Sequence, residues 1–368
     1  MKVSKIHIEN FKRFEKIDIP IQNDLTQEVA DQFLFLGDNG SGKTTVLQAV
    51  ALCLSMAAGL TRSVENFNWL GWMPGRFRMW GEPRIELEVH FSQDELTATR
   101  EVAERWSRHA KAPRAPDDFV MPGSDETVQL VLEDGHCRAR QSAAQYFQFR
   151  GRQYASQLLS TDAGARELFS RLPGVFWFDQ FRNLASPPAP YQRDAEEEEP
   201  TGRISYSVGV ARLREHLNKW QLRRYATGGA GGPDFLTELE SSYKSIFQGR
   251  SFRGPEPMYK RGGAPTPEDY YFILSDGKRT YDIEEMSAGE QAVFPILYEF
   301  VRQQIRNSVV LIDEIDLNLH PPLAQAFLLA LPTIGPGCQF LLTTHSEAIS
   351  GLVSPEEIHR LEGGKLCL

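Results

Sequence analysis

The chain has 368 residues, of which 41% are hydrophobic, and this length and composition predict a folded protein of two or three domains. Lys and Arg number 40 against 49 Asp and Glu, a formal net charge of −9, which excludes a nucleic-acid coat protein. Any site that binds a polyanion must therefore be a locally basic region of the chain.

The sequence has the features of a cytoplasmic protein. Its four cysteines lie far apart without a Cys-x-x-Cys pair, which is typical of a reducing compartment and offers no zinc framework. The N-terminus alternates apolar and polar residues and lacks the apolar core of a signal peptide. The longest apolar stretch, 46–60, is shorter than the roughly 20 residues that a bilayer requires, so no membrane span is expected.

The N-terminal region is predicted to form strands followed by a loop and a helix. Apolar residues recur at period two in the first twenty residues, with a polar break near 10–13 between two strands. A hydrophobic strand, 33–36, runs directly into Gly37. Helix formers follow from 45 to 58, so the order is strand, glycine-rich loop, helix.

Alternation, helical spacing and turn residues predict the remaining elements. Ser92 and Glu95 have capping-box spacing and begin a charged helix that extends to about residue 110, and residues 111–126 are predicted to form a surface loop. The Pro- and Glu-rich stretch 185–203 indicates a solvated linker or, alternatively, a mimic of a nucleic-acid phosphate track. The other predicted elements are strands 84–91 and 128–132, helix 153–171, strand 175–178, helices 208–226 and 234–248, strands 270–275 and 279–283, helix 288–305, strand 309–312, helix 322–331 and strand 339–343.

Residues 37–44 match the phosphate-loop pattern G-x-x-x-x-G-K-[ST] in full. The glycines let the backbone curl around phosphate with its N–H groups inward, and the following helix adds its positive N-terminal end. Lys43 is predicted to reach the β and γ phosphates, and the Thr44 hydroxyl to hold Mg²⁺. The predicted nucleotide contacts in this segment are Gly37, Asn39, Gly40, Ser41, Gly42, Lys43, Thr44 and Thr45.

A second set of nucleotide residues follows the buried strand 309–312, which ends in Asp313 and Glu314. A parallel strand places its last residues at the carboxyl edge of the sheet, where the phosphate loop also lies. Asp313 is predicted to bind Mg²⁺, and Glu314 to polarise the attacking water as general base. Without a phosphate loop the same pattern would describe an ordinary strand end.

The segment 286–291, Met-Ser-Ala-Gly-Glu-Gln, resembles the signature motif of ATP-binding-cassette (ABC) ATPases in the form seen in SMC, RecF and overcoming-lysogenization-defect (OLD) proteins. Ser287 and Gly289 open a helix whose hydroxyl, N–H groups and dipole face an anion. Glu290 completes the motif as a predicted nucleotide contact. In ABC ATPases this motif contacts the γ phosphate held by a second subunit, so the resemblance implies a head-to-tail homodimer with two ATP between the subunits.

Further matches to these ATPases follow in the same order along the chain. Residues 315–321, which include Asp316, resemble the D-loop that crosses the dimer seam, and His345 resembles the switch histidine that contacts the γ phosphate. Gln180 is the candidate Q-loop glutamine that senses Mg²⁺ and the attacking water, although any glutamine after a strand would match. Lys12 or Arg13 is expected either to contact ATP or to lie in a solvated turn.

The resemblance implies an α/β fold of the ABC ATPase head type, with a mixed central sheet carrying the phosphate loop, an N-terminal antiparallel β lobe and a helical signature lobe. The expected division is residues 1–184 for the first part of the ATP-binding lobe, 185–285 for a linker and helical insert, and 286–368 for the signature helix and the motifs after it. No heptad pattern persists, and the middle of the chain is too short for an SMC coiled-coil arm.

Two related activities are not expected. OLD nucleases continue past the switch histidine into a carboxylate-rich Toprim domain, whereas the only acids after Glu347 are Glu356, Glu357 and Glu362, so intrinsic nuclease activity is not predicted. Membrane-transport cassettes are disfavoured by the N-terminal strand-turn and by the D-loop sequence, which resemble the soluble branch.

Residues 210–261 carry ten basic and five acidic side chains with interleaved aromatic residues. Such a segment could follow a nucleic-acid backbone, or it could form a solvated helical face or a protein-partner surface. The basic residues are Arg212, Arg214, Lys219, Arg223, Arg224, Lys244, Arg250, Arg253, Lys260 and Arg261.

The resemblance implies a stand-alone ATPase of a prokaryotic anti-phage defence module, whose ATP-driven dimer regulates a separate effector such as a nuclease or toxin. One alternative is a RecF-like DNA-repair clamp that binds DNA in an ATP-dependent way. Another is a scaffold that binds ATP to assemble but barely hydrolyses it.

Overall fold

A computed structural model gives the fold of the chain. It describes residues 1–362 except 24, 25, 27, 70, 109–118, 160, 161, 163, 181, 183–205, 228–233 and 259–268. The predicted linker 185–203 and the first half of the predicted loop 111–126 therefore lie outside the described residues. In the described part, no helix is both long enough and apolar enough to cross a bilayer.

The described elements are strands and helices mixed along the chain. The strands are β1 (Lys2–Phe11), β2 (Phe14–Pro20), β3 (Gln32–Leu36), β4 (Arg84–His90), β5 (Thr127–Glu133), β6 (His136–Ala139), β7 (Val175–Phe178), β8 (Ser251–Pro257), β9 (Tyr270–Ser275), β10 (Thr280–Asp282), β11 (Val309–Ile312), β12 (Gln339–Thr344) and β13 (Ile358–Arg360). The helices are α1 (Lys43–Ala57), α2 (Gln93–Arg108), α3 (Ala143–Phe147), α4 (Gly151–Leu158), α5 (Ala165–Leu168), α6 (Tyr206–Thr227), α7 (Phe235–Ile246), α8 (Ala288–Arg302), α9 (Pro321–Ile334) and α10 (Glu347–Ser350).

The N-terminal lobe is an antiparallel sheet in the order β2-β1-β4-β5-β6. Apolar and polar residues alternate along its strands, and the apolar ones form the buried face. In β4, for example, Ile85, Leu87 and Val89 are buried and the polar residues between them are half-exposed. The apolar face of this sheet joins the core around α1. The predicted antiparallel β lobe is therefore confirmed.

The sheet that carries the phosphate loop has the order β13-β3-β12-β11-β7, and its described strands are parallel throughout. The α/β class is confirmed, but the expectation of a mixed central sheet is corrected, since the antiparallel strands form separate sheets. Both faces of this sheet are covered, as is usual for parallel strands. Phe33, Phe35 and Leu341 face the core around α1, and Leu34 and Leu342 face a second core formed with α6 to α9.

Helix α1 is buried along almost its whole length because it is apolar on all sides. It lies between the antiparallel sheet and the parallel sheet and packs against β4, β5, β7 and β12. This position fixes its N-terminus, where the phosphate loop ends, relative to both sheets.

The helical lobe is formed by α6, α7 and α8 with the small antiparallel sheet β10-β9-β8. The predicted hairpin between β9 and β10 is confirmed, with Gly277 at φ +87° in its turn. Helix α7 packs against α8, which begins at the signature motif. The divisions at residues 184 and 285 stay predictions.

Several elements differ from the sequence prediction. The helix expected over 153–171 is two helices, α4 and α5, and a turn before α5 is held by a hydrogen bond from Gly164 N to Asp162 Oδ1 of 2.9 Å. Strands β6, β8 and β13 and helix α3 were not predicted. Strand β8 contains Gly254, Pro255 and Pro257 and lies at a sheet edge, the place where a strand tolerates proline.

Candidate nucleotide-binding site

The phosphate loop leaves β3 at Leu36 and enters α1 at Lys43. Gly40 and Gly42 have φ of +78° and +102°, the left-handed region that favours glycine. A Cβ on Gly42 would also lie 2.5 Å from the ring of Phe14 and 2.8 Å from Cδ of Arg13. The turn between β1 and β2 therefore packs directly on the loop, and position 42 requires glycine.

Side chains of the phosphate loop are positioned to bind an anion. Lys43 Nζ donates to the carbonyls of Gly37 at 2.6 Å and Asp38 at 3.0 Å. The Ser41 hydroxyl is buried and has no hydrogen-bond partner among the described residues. Because a buried hydroxyl without a partner is costly, this atom and the Lys43 ammonium fit a phosphate ligand. At the loop exit, Thr45 is half-buried in the first turn of α1, and Asn39 is exposed.

The Thr44 hydroxyl meets Asp313 from the other motif, lying 3.0 Å from Oδ1 and 2.8 Å from Oδ2. Thr343 Oγ1 donates to Asp313 Oδ1 at 2.7 Å. Asp313 is fully buried, and this burial raises its pKa, while the two threonine hydroxyls and the Arg182 charge act in the opposite direction.

A hydroxyl and a carboxylate in contact are the hard oxygen ligands that Mg²⁺ prefers. The described residues contain no cluster of three or more His, Cys, Asp and Glu side chains that could hold a metal by themselves. Thr44 and Asp313 therefore fit an Mg²⁺ that keeps water and phosphate oxygens as its remaining ligands, which is its usual coordination.

Glu314 follows Asp313 in an unusual backbone conformation, with φ of +47°, and its side chain is half-buried. Its N–H donates to Thr343 Oγ1 at 2.7 Å. Next along the turn, Asp316 Oδ1 accepts a hydrogen bond from Thr344 Oγ1 at 2.5 Å. The two threonines at the end of β12 therefore fasten both the predicted base and the predicted D-loop aspartate.

Strand register brings Gln180 and His345 to the same edge of the sheet. Phe178 pairs with Ile312, so Gln180 and Glu314 each lie two residues beyond paired positions. Thr344 pairs with Leu36, so His345 and Gly37 follow paired positions in the same way. Gln180 is half-buried and His345 is exposed. Their predicted catalytic roles stay predictions, but both lie at the edge where the phosphate loop begins.

Lys12 and Arg13 have different surroundings. Lys12 Nζ donates to Gln48 Oε1 and lies 4.8 Å from the centre of the Trp72 ring. Burial lowers the pKa of Lys12 to about 8. Arg13 is exposed, and its guanidinium lies 3.6 Å from the position of a Cβ on Gly40. Of the two predicted residues, Arg13 is the one that lies beside the phosphate loop.

The signature turn is capped as the sequence predicts. Ser287 is exposed and is the N-cap of α8, forming a capping box with Glu290. A Cβ on Gly289 would lie 3.4 Å from the Asn318 carbonyl, so the start of α8 packs against the D-loop of the same chain. The motif therefore presents Ser287 outward and Gly289 toward the D-loop.

Glu290, a predicted nucleotide contact, has its side chain inside the helical lobe, and its contact with nucleotide stays a prediction. Its side chain is buried, and its Oε1 accepts hydrogen bonds from Tyr281 and from Arg250, each at 2.7 Å, and from the Tyr243 hydroxyl. Its Oε2 accepts from the N–H and hydroxyl of Ser287. Since both oxygens are satisfied within the lobe, Glu290 holds the signature turn in place.

Two residues that the sequence analysis missed belong to the site. Thr343 contacts Asp313 and the backbone of Glu314, as described above. Arg182 is buried, and its guanidinium donates to the carbonyls of Asp313 and Glu314. Burial lowers the pKa of Arg182 to about 10. In the sequence, Arg182 follows the Q-loop candidate Gln180 by two residues, and this short spacing is the feature that indicates a place near the site.

The proposed nucleic-acid surface in 210–261 is partly occupied by ion pairs. Among the described residues of this segment, the basic side chains within 4 Å of a carboxylate include Arg214, Lys219, Arg224, Lys244 and Arg250. Lys260 and Arg261 lie outside the described residues. The positive count in the sequence therefore overstates the charge available to a phosphate backbone, and nucleic-acid binding there stays a prediction.

Comparisons with known proteins agree with this site. An "AAA ATPase domain" family model matches residues 1–70, and one described as "AAA domain, putative AbiEii toxin, Type IV TA system" matches residues 214–350. The chain is 22% identical to the retron Vc95 probable ATPase of Vibrio cholerae serotype O1 biovar El Tor, over 97% of this chain and 73% of that protein. It is 29% identical to the retron Ec83 probable ATPase of Escherichia coli, over 99% of this chain and 72% of that protein.

Similar solved structures include the SMC head domain from Thermotoga maritima, with a TM-score of 0.46 and 14% identity over 98% of this chain and 94% of that one. The SMC head bound to the C-terminal winged-helix domain of ScpA has the same TM-score and identity, over 95% of this chain and 91% of that one. The chain is thus similar to ATPase domains in two segments and, over nearly its whole length, to two probable ATPases of retrons.

Proposed function

We propose that this chain binds ATP with Mg²⁺ and hydrolyses it. The observation that carries the proposal is the contact between the Thr44 hydroxyl and both carboxylate oxygens of Asp313. These two residues come from motifs 269 positions apart in the chain and have the oxygen ligands that Mg²⁺ requires. Bound between them, Mg²⁺ would neutralise charge on the triphosphate.

The surrounding side chains have separate tasks in this proposal. Lys43 exchanges its two bonds to loop carbonyls for bonds to phosphate oxygens, and the Ser41 hydroxyl gains a partner. Glu314 accepts the proton of the attacking water as general base. Gln180 and His345, at the same edge of the sheet, orient that water and contact the terminal phosphate.

We further propose that two copies close head to tail around two ATP molecules. The exposed Ser287 cap and the first turn of α8 present a helix N-terminus, which suits the triphosphate bound by the other copy, and the Ser287 hydroxyl exchanges its bond to Glu290 for a bond to a phosphate oxygen. Glu290 supports this surface from within. The names of the retron relatives and the resemblance to defence ATPases support a further step, in which the dimer regulates a separate effector against phage.

Single-turnover hydrolysis by Glu314→Gln tests the ATPase. Removing the general base should slow hydrolysis by about 100-fold or more, while ATP binding persists because the loop and Asp313 are intact. Glu347→Gln is the matched control, since Glu347 is exposed and its carboxylate contacts Arg360 at 3.5 Å and the Ser350 hydroxyl at 3.1 Å, outside the nucleotide motifs. Equal rates in wild type and Glu314→Gln would remove Glu314 as the base.

A further inference from the structure

Arg182 bridges the turn after β7 and the turn after β11. Its Nη1 donates to the Asp313 carbonyl at 2.5 Å and to the Asp179 carbonyl at 3.2 Å. Its Nη2 donates to the carbonyls of Glu314 at 2.8 Å and Ile315 at 3.4 Å. One guanidinium therefore holds three consecutive carbonyls of the Glu314 turn and one carbonyl beside Gln180.

The Glu314 turn needs such a donor because it lies beyond the sheet ladder. Strand β11 ends at Ile312, so the carbonyls of 313–315 have left the regular pairing with neighbouring strands, and the Glu314 carbonyl also accepts from the Leu317 N–H at 2.9 Å within the turn. Buried carbonyls without water require another donor. Glu314 also has φ of +47°, a conformation that a non-glycine residue keeps only when its surroundings stabilise it.

The chemistry of arginine suits this position. Its planar guanidinium presents several donors in a fixed fork, whereas the lysine ammonium is a compact point charge on a flexible stem. The carboxylates of Asp313, Asp179, Glu314 and Asp316 favour the charged form of Arg182 in its buried position. Lysine could supply the charge here but not the simultaneous contacts with both turns.

We propose that Arg182 is a positioning residue, which fixes the Glu314 turn for hydrolysis and couples it to the Q-loop turn that carries Gln180. The proposal rests on the proposed ATPase function for its kinetic consequence. Its structural consequence, a Glu314 turn that loosens when the guanidinium is removed, can be measured without ATP. The two consequences are therefore tested separately.

Arg152 provides a matched control within the chain. It is also buried, and it donates at 2.9 Å to four carbonyls, those of Leu172, Phe169, Gln303 and Gln304. None of these four carbonyls belongs to a nucleotide motif. A purely structural role for Arg182 would make the two arginines equivalent in their effect on activity per folded molecule.

The kinetic experiment compares Arg182→Met and Arg182→Lys with Arg152→Met and Arg152→Lys in the full chain. We expect Arg182→Met to lower kcat about 100-fold while the Kd for ATP changes less than about threefold, since misplacing Glu314 affects hydrolysis more than binding. Arg182→Lys should still lose about tenfold in kcat and so replaces the Met variant if that one does not fold. The Arg152 variants should keep kcat within about threefold per folded molecule.

Hydrogen exchange without nucleotide gives the second readout. Amides of residues 314–319 should exchange about tenfold faster in the Arg182 variants, while those of β12 keep their protection. Unchanged exchange in that segment would overturn the proposal, as would Arg182 variants that match the Arg152 variants in kcat. If the wild-type protein does not hydrolyse ATP, the ATPase proposal is refuted instead. The hydrogen-exchange result alone would then decide whether Arg182 holds the Glu314 turn.

Discussion

At the level of single residues, the two buried carboxylates of the site face different partners. Asp313 meets the hydroxyls of Thr44 and Thr343, neutral groups that would leave its charge available to a cation. Glu290 meets the Arg250 guanidinium and two tyrosine hydroxyls, so its charge is already compensated. This difference separates a carboxylate that is available to a cation from one that supports the signature turn.

Replacing Glu290 with Gln should destabilise the fold. The amide leaves Arg250 without its carboxylate partner and places an NH₂ group among hydroxyl donors. We therefore expect a loss of about 2–3 kcal/mol in the free energy of unfolding. The loss is smaller than for a fully buried ion pair because Arg250 is partly exposed. Urea unfolding measures the change. Glu284→Gln is the control, since Glu284 is half-exposed beside Arg214 and its loss should cost below about 1 kcal/mol. Equal losses in the two variants would contradict this account of Glu290.

Sequence motifs indicate candidate residues whose own side chains would contact a nucleotide, but they do not indicate Arg182 and Thr343, which contact the Asp313 and Glu314 turn from neighbouring strands. The phosphate loop and the Asp313-Glu314 pair follow local patterns with fixed spacing. Arg182 and Thr343 contribute by reaching carbonyls, an N–H group or a carboxylate across neighbouring strands, which depends on strand register. Glu290 matches the signature motif in the sequence. The groups that bury its carboxylate come from α7 and the small antiparallel sheet, which the motif does not include.

At the level of elements, helix α6 is fastened to the signature helix α8 by an aromatic contact. The His216 ring stacks on the Tyr298 ring with centres 6.1 Å apart, and its Nδ1 is hydrogen-bonded to the tyrosine hydroxyl. Burial lowers the pKa of His216, and the positive charges of Arg302, Arg212 and Lys219 act in the same direction, against Glu215. The neutral ring is therefore the form that joins the two helices.

This contact predicts a loss of stability in acid. The folded pKa of His216 lies below its unfolded value of about 6.5, so the contribution is complete above that pH and is lost as pH falls through the folded pKa. Between the two values the free energy of unfolding should fall with a limiting slope of about 1.4 kcal/mol per pH unit. Urea unfolding from pH 7 to pH 5 should show a smaller decrease in His216→Gln than in wild type. The exposed His136→Gln should follow the wild-type profile, and identical profiles for all three would contradict the assignment.

Elements with a strong local hydrophobic pattern are the ones that the sequence predicts well. Helix α1 and strands β3 and β11 carry continuous apolar runs and were predicted closely. Strands β6, β8 and β13 are short or contain proline, and they acquire order from pairing with a stronger neighbour. The parallel arrangement of the central sheet could not be read from any single strand, because direction is a property of the connections.

At the level of the whole molecule, the two cores meet across the parallel sheet, with α1 and the antiparallel lobe on one face and the helical lobe on the other. The D-loop after β11 contacts the start of α8, so the signature surface and the phosphate loop edge are linked through one turn. That link offers a route by which nucleotide at the sheet edge could influence the exposed Ser287 cap.

In the proposed dimer, Ser287 of each copy contacts the nucleotide bound by the other copy. Light scattering after size-exclusion chromatography of Glu314→Gln, with saturating ATP and Mg²⁺, measures this directly. We expect the mass of a dimer with ATP and of a monomer without it, and a second change, Ser287→Arg, should restore the monomer by filling the exposed cap. A Glu314→Gln chain that binds ATP but keeps the mass of a monomer would contradict the account.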